Sequence, residues 1–241
     1  MGLCSSSNVK YQTNNPAHEI TCPEGALRVK PGRNSLSQAV TEAKEKGIGI
    51  LFLLSGMHDE NGFAVTIDFA LKVIGQNRDN VKIHGGFSFE GKNISYCAFA
   101  NGKHEEDSFL SNCTVTGAKE NGIMGYGATM HLKNVCVELC RGCGVCVATT
   151  KLLSTTRNTM TDCNVNNNGK SGVCVMDGGC MTIDGGATTI HHNVLFGENF
   201  CYGLDTCDSS ASIHLKSLTK ESISRKNGGG GNYGGDRIKT I

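Results

Sequence analysis

The stretch Asp162-Cys-Asn-Val-Asn-Asn-Asn-Gly-Lys-Ser-Gly172-Val173 decides the fold, because the chain repeats its layout. Asn112-Cys-Thr-Val-Thr-Gly-Ala-Lys-Glu-Asn-Gly122-Ile123 and Asn134-Val-Cys-Val-Glu-Leu-Cys-Arg-Gly-Cys-Gly144-Val145 follow the same plan. A fourth copy reads Asn193-Val-Leu-Phe-Gly-Glu-Asn-Phe-Cys-Tyr-Gly203-Leu204. Taking the glycine as origin, Asn or Asp stands ten residues before it, Cys or Val nine before, Val or Phe seven before, and an aliphatic residue one after. Three after it stand Gly125, Val147, Val175 and Thr206. The glycines fall 22, 28 and 31 residues apart. Self-similarity of this kind marks a solenoid, in which each copy is one coil and stacked coils bury a continuous apolar column. Alternation within each strand turns the paired aliphatics inward. The Asx residues predict a hydrogen-bonded ladder along one corner, and the glycines a place where a side chain would clash.

Outward from the repeat, the rest of the sequence agrees. Val65 and Ile67, then Leu71, Val73 and Ile74, then Val81 and Ile83 are short apolar runs, with Asp68 after the first, Gly75 after the second and Gly85 after the third. That spacing is the all-β pattern. Leu36, Ala39, Val40 and Ala43 have helical spacing, with Asn34 or Ser35 as cap and Gly47 as terminator, which predicts one helix over 35–46. Residues 1–33 read as a polar N-terminal arm, 34–225 as the β domain and 226–241 as a Gly-rich C-terminal tail.

Composition excludes other classes. Of 241 residues 32 are glycine and 3 proline, with no tryptophan, which does not suit a helical bundle. A net charge of +1 leaves no footprint for nucleic acid. The longest apolar run, Ile48 to Leu54, is far short of a bilayer span, and no secretory leader opens the chain. The thirteen cysteines are therefore expected to be mostly reduced thiols in a cytoplasmic protein. Met1-Gly2-Leu3-Cys4-Ser5-Ser6 fits N-myristoylation at Gly2, with Cys4 as a palmitoyl acceptor, and predicts peripheral attachment to the cytosolic face of a membrane.

The repeat, together with Arg28-Val-Lys-Pro-Gly, the helix at Ser35–Lys46, Ile50-Leu-Phe-Leu-Leu-Ser-Gly, Gly56-Met-His-Asp-Glu60 and Lys72-Val-Ile-Gly, resembles the right-handed parallel β-helix of the pectin lyase-like superfamily. Its Asx-rich coils are most similar to carbohydrate-binding and sugar-hydrolase repeats, found in polysaccharide-acting proteins and in some F-box substrate receptors. The resemblance spans residues 26–225 and implies an all-β, right-handed parallel β-helix with an N-terminal capping helix. It also implies a polysaccharide or a protein as partner.

Catalytic candidates are sparse. Asp177 and Asp208 both lie five residues after a repeat glycine, so adjacent coils stack them about 4.8 Å apart, with Asp205 nearby. Two carboxylates that close raise one pKa and suit a retaining glycosidase, or a Ca²⁺ site as in lyases of the superfamily. The same residue types also make ordinary turns. Arg225 and Arg237 are candidates to clamp an acidic substrate. Arg237-Ile-Lys239 matches a polygalacturonase triplet, but the companion motifs of those enzymes are absent and the triplet sits in the glycine-rich tail. Cys140-x-x-Cys143-x-x-Cys146 has superficial iron–sulfur spacing, yet residues three apart on a strand face opposite ways, so no metal site is assigned. His191-His192 meets the same objection. No nucleophile elbow, P-loop or dinucleotide fingerprint is present. The leading expectation is a non-catalytic binding scaffold, with no cofactor. A polysaccharide hydrolase or lyase using Asp177, Asp205 and Asp208 is one alternative, and an acyl-anchored adaptor is another.

Overall fold

The computed structural model describes residues 20–90, 107–148 and 158–241. Gly2 and Cys4 lie outside the described residues. The chain winds as a parallel β-solenoid of about eight turns. One nine-stranded sheet stacks Leu27–Val29, Ile50–Leu53, Lys72–Gly75, Ser108–Ser111, Met130–Lys133, Asn158–Thr161, Cys180–Asp184, Ser212–Leu215 and Ile238–Thr240 in chain order. The other sheet has thirteen strands. Its long strands Gly56–Ile67 and Val81–Glu90 run across two sides of the coil. From Thr114 onward each coil makes those two sides from separate short strands, so Val81–Glu90 pairs with both Thr114–Thr116 and Ile123–Tyr126. Every pairing is parallel, which satisfies each strand's backbone from the coils on either side.

Register follows the repeat through three copies. Val115, Val137 and Val165 are Cα partners in one column, and Ile123, Val145 and Val173 in another. All six are fully buried. The glycine column is set by close approach. A Cβ on Gly144 would lie 2.8 Å from the carbonyl oxygen of Gly172, and one on Gly172 would lie 2.7 Å from that of Gly203. The Asx corner also forms. Asn112, Asn134 and Asp162 adopt left-handed backbone (φ 56°, 54° and 52°), which Asx tolerates. Asn134 Nδ2 donates to Asn112 Oδ1 at 2.8 Å.

The fourth copy keeps the register in its second half, where Leu204 pairs with Val173, and departs from it in its first. Ile190, not Phe196, continues the column of Val165. Thr188 Oγ1 accepts from the amide of Cys163 and so takes the place assigned to Val194. Asn193 sits at the next corner of the coil. There its amide joins a second, buried asparagine ladder: Asn168 Nδ2 donates to Asn193 Oδ1 at 2.9 Å, and Asn193 Nδ2 donates to Asn227 Oδ1 at 3.0 Å. Residues 194–201 are therefore an insertion in this turn, and Val194 has φ 63°.

The two ends also differ from expectation. Leu27–Val29 and Gly32–Arg33, placed in the arm, already pair with Ile50–Leu53 and Gly56–Ile67. The glycine-rich segment after residue 225 is a further coil: Gly231–Gly234 pairs with Tyr202–Thr206, and Ile238–Thr240 with Ser212–Leu215. Its glycines leave room for a ring, because a Cβ at Gly230 or Gly234 would overlap Tyr202.

Helix Ser35–Lys46 buries Leu36, Ala39, Val40 and Ala43 and ends at Gly47 in the left-handed region (φ 66°). Neither Asn34 nor Ser35 caps it. Glu60 does so from the neighbouring strand, with Oε1 accepting from the amide of Leu36 at 2.8 Å and Oε2 from the hydroxyl of Ser37. His58, fully buried, bonds Ser35 Oγ at 2.9 Å and the Leu54 carbonyl at 3.0 Å. The Gly56–Glu60 motif thus docks the helix on the first coils. Among the described residues no helix is long and apolar enough to cross a membrane.

Candidate functional site

The strands Val145–Ala148, Val173–Met176 and Tyr202–Thr206 have two faces, and both are buried. Positions one and three after each glycine face the core: Val145 and Val147, Val173 and Val175, Leu204 and Thr206. Position two faces away. There Cys146, Cys174 and Asp205 are Cα partners in one column, preceded by Met124. Cys146 and Cys174 are 3% exposed and Asp205 5%. Cys143, from the turn entering the first of these strands, packs with Cys146 and Cys174, and Met124 and Met176 lean on the group. Cys207, exposed at the edge, brings Sγ to 3.1 Å from Cys174 Sγ. Ligand atoms of Cys174, Asp205 and Cys207 all lie within 4.8 Å of one another.

The electrostatics follow from this crowding. Cys174, surrounded by the thiols of Cys143, Cys146 and Cys207 and buried, has its pKa pushed far up. Cys143 is lowered, because Cys174 donates to it; Lys170 nearby favours its thiolate further. Burial raises the Asp205 carboxyl, opposed by donation from Ser171 Oγ at 3.0 Å and from Cys207. Cys140 does not join. It is buried in the main apolar core, so the Cys140–Cys143–Cys146 motif is split between two environments.

Asp177 and Asp208 do stack, as neighbouring turns. The amide of Asp177 donates to Asp208 Oδ2 at 2.6 Å. The other oxygen of Asp208 accepts from the amides of Ser210 (2.7 Å) and Ala211 (3.0 Å) and from the Ser210 hydroxyl. These bonds, that of Ser210 foremost, hold the Asp208 carboxyl below its usual range, opposite to the rise expected for a catalytic acid. Arg237 lies one coil further on, between Gly231–Gly234 and Ile238–Thr240, in the stack of turns that contains Asp208. Arg225 lies elsewhere, beside His191 on the other arm of the sheet. The geometry thus keeps the five sequence candidates in three separate places.

A second feature belongs to the insertion. Leu195 and Phe196 are held by their amides, which donate to the carbonyls of Asn168 and Gly169 at 3.2 Å each. Their side chains are 58% and 60% exposed, and Phe200 in the same insertion is 74% exposed. Leu139 stands beside them at a left-handed turn position (φ 57°), and with Lys119 and Arg141 they line a shallow depression. Sequence reading had placed Phe196 in the core and so missed this surface.

With this geometry in view, the class is plain. A family model described as "Right handed beta helix region" matches residues 54–219, and the chain belongs to that family. Among solved structures it is similar to the A-module of mannuronan C-5 epimerase AlgE6 of Azotobacter vinelandii, at 11% identity and a TM-score of 0.35, over 86% of this chain and 93% of that one. It is also similar to the Agl-KA catalytic domain, at 14% identity and a TM-score of 0.39, over 93% of this chain and 48% of that one. No curated protein sequence matches it.

Proposed function

We infer that this protein is a non-catalytic binding scaffold, and that its binding surface is the turn face around Leu139, Leu195 and Phe196. One observation carries the reading: hydrogen bonds hold the backbone of Leu195 and Phe196 in place while their large apolar side chains face solvent beside Leu139. An apolar patch of this kind marks an interaction site, and a backbone ordered before binding loses little entropy when a partner arrives. Its chemistry favours a protein partner. Aliphatic and phenyl groups suit an apolar protein segment, and Lys119 and Arg141 at the rim suit acidic flanks. The hydrolase or lyase alternative gains nothing from Asp208, whose carboxylate is engaged with backbone donors of its own turn.

The test is affinity capture with the full chain beside a Leu139→Asp/Phe196→Asp variant of matched circular dichroism. A partner held by the wild type and lost by the variant supports the reading. A partner held equally by both places the surface elsewhere. Turnover of polyuronates or neutral glycans, lost in Asp208→Asn, would replace the scaffold with an enzyme.

A further inference from the structure

Eleven cysteines fall among the described residues, and four of them converge on the outer column: Cys143, Cys146, Cys174 and Cys207. They come from three different coils, so chance proximity along the sequence does not explain the meeting. A thiol column alone can be a packing device, since buried cysteine behaves as a small hydrophobe. Asp205 argues against packing alone. A carboxylate 5% exposed and stacked directly on Cys174 is costly there unless it serves an ion or a network. Ser171 supplies one hydrogen bond and fixes the orientation, which leaves the rest of the carboxylate's capacity directed at sulfur.

We propose that Cys174, Cys207 and Asp205 form a binding site for a thiophilic d¹⁰ cation of the zinc class. Two sulfurs and one oxygen supply three positions of a tetrahedral ion, solvent at the exposed Cys207 edge supplies the fourth, and the sulfurs disfavour Ca²⁺ or Mg²⁺, which require oxygen. The spacing fits. Zinc–sulfur bonds of about 2.3 Å place two ligand sulfurs about 3.8 Å apart, so the Cys174–Cys207 pair, at 3.1 Å, has to open by only about 0.7 Å. Cys143 packs against Cys174 beside this set. Cys207 is exposed and gives the entry path, and Ser171 acts as the outer partner that orients Asp205. Binding displaces the thiol protons to solvent, so affinity falls as pH is lowered. The ion ties together the coils that contain Gly172 and Gly203.

The experiment uses the full chain, reduced and handled without oxygen. Zinc stoichiometry is measured by elemental analysis after dialysis, affinity by competition with a chromophoric chelator, and ligand type by the sulfur-to-metal absorption of the Co²⁺ form. The expected result is one ion per chain with thiolate absorption. Cys174→Ser and Cys207→Ser should each weaken binding by about 100-fold or more, beyond the loss typical of an outer-shell partner. Cys207 is exposed, so that variant keeps its fold, while Cys136→Ser serves as a control with unchanged affinity. Failure of the reduced wild type to retain zinc overturns the proposal. So does equal affinity in wild type, Cys174→Ser and Cys207→Ser, or a Co²⁺ spectrum without sulfur bands.

Discussion

The two faces of the strands Val145–Ala148, Val173–Met176 and Tyr202–Thr206 are both largely buried and differently made. The inner face stacks valine and leucine, coil upon coil. The outer face stacks methionine, cysteine, cysteine and aspartate. Apolar burial is non-directional, so any aliphatic of suitable volume serves the inner column. The outer column uses groups with preferred partners, and its composition carries information that packing does not require. Burial alone therefore does not distinguish structure from function in a solenoid.

The strongest way to break the comparison is to put a charge on the wrong face. Val173→Asp places an unpaired carboxylate in the inner column, one residue from Cys174, and should cost about 3–5 kcal/mol in denaturant unfolding. A cost below about 1 kcal/mol would mean that the column is not continuous. Next comes the coil spacing. Gly172→Ala pushes a methyl group against the carbonyl of Gly203 and should cost about 1–3 kcal/mol, whereas Gly186→Ala, with open space around its Cβ, should stay within about 0.5 kcal/mol. Equal effects would remove close approach as the reason for the glycine column.

The smallest effect tests a titratable side chain in the buried column of Val115, Val137 and Val165. His58 is the Cα partner of Ile83, which pairs in turn with Val115, and burial lowers its pKa. An unfolded His58 takes up its proton near pH 6.5, while the folded one resists to lower pH. Its contribution is therefore present above about 6.5 and is lost as pH falls through the folded value. Stability should decline on acidification in that window, and His58→Leu should flatten the decline when unfolding is followed at several pH values.

Most of the fold was legible, because three copies of the repeat keep glycine, Asx and valine in register with real strand pairs. In the fourth copy Gly203 and Leu204 keep that register, and the first half fails for a physical reason. Asn193-Val-Leu-Phe imitates the template, and apolar periodicity cannot separate a core aliphatic from one in an exposed turn; strand pairing does, by choosing Ile190. The glycine-rich tail was misread because glycine signals either freedom or tight contact, and here the contact is with Tyr202. The thiol column was present in the sequence as a shared offset: Cys146, Cys174 and Asp205 each stand two residues after a repeat glycine. Weighing cysteines along the chain, as Cys140-x-x-Cys143-x-x-Cys146, hid a pattern that runs across it.

The capping of the helix by Glu60 has a consequence for biosynthesis. Residues 35–46 leave the ribosome before their cap does, since the hydrogen bond from Leu36 spans 24 positions. At about 5–20 residues per second the helix waits roughly 1–5 s for the carboxylate that satisfies its first turn. A lone twelve-residue helix is marginal in water, so the capping helix sets only once the first full coil has emerged. Each later coil can then be laid on the one before it, in the order of translation.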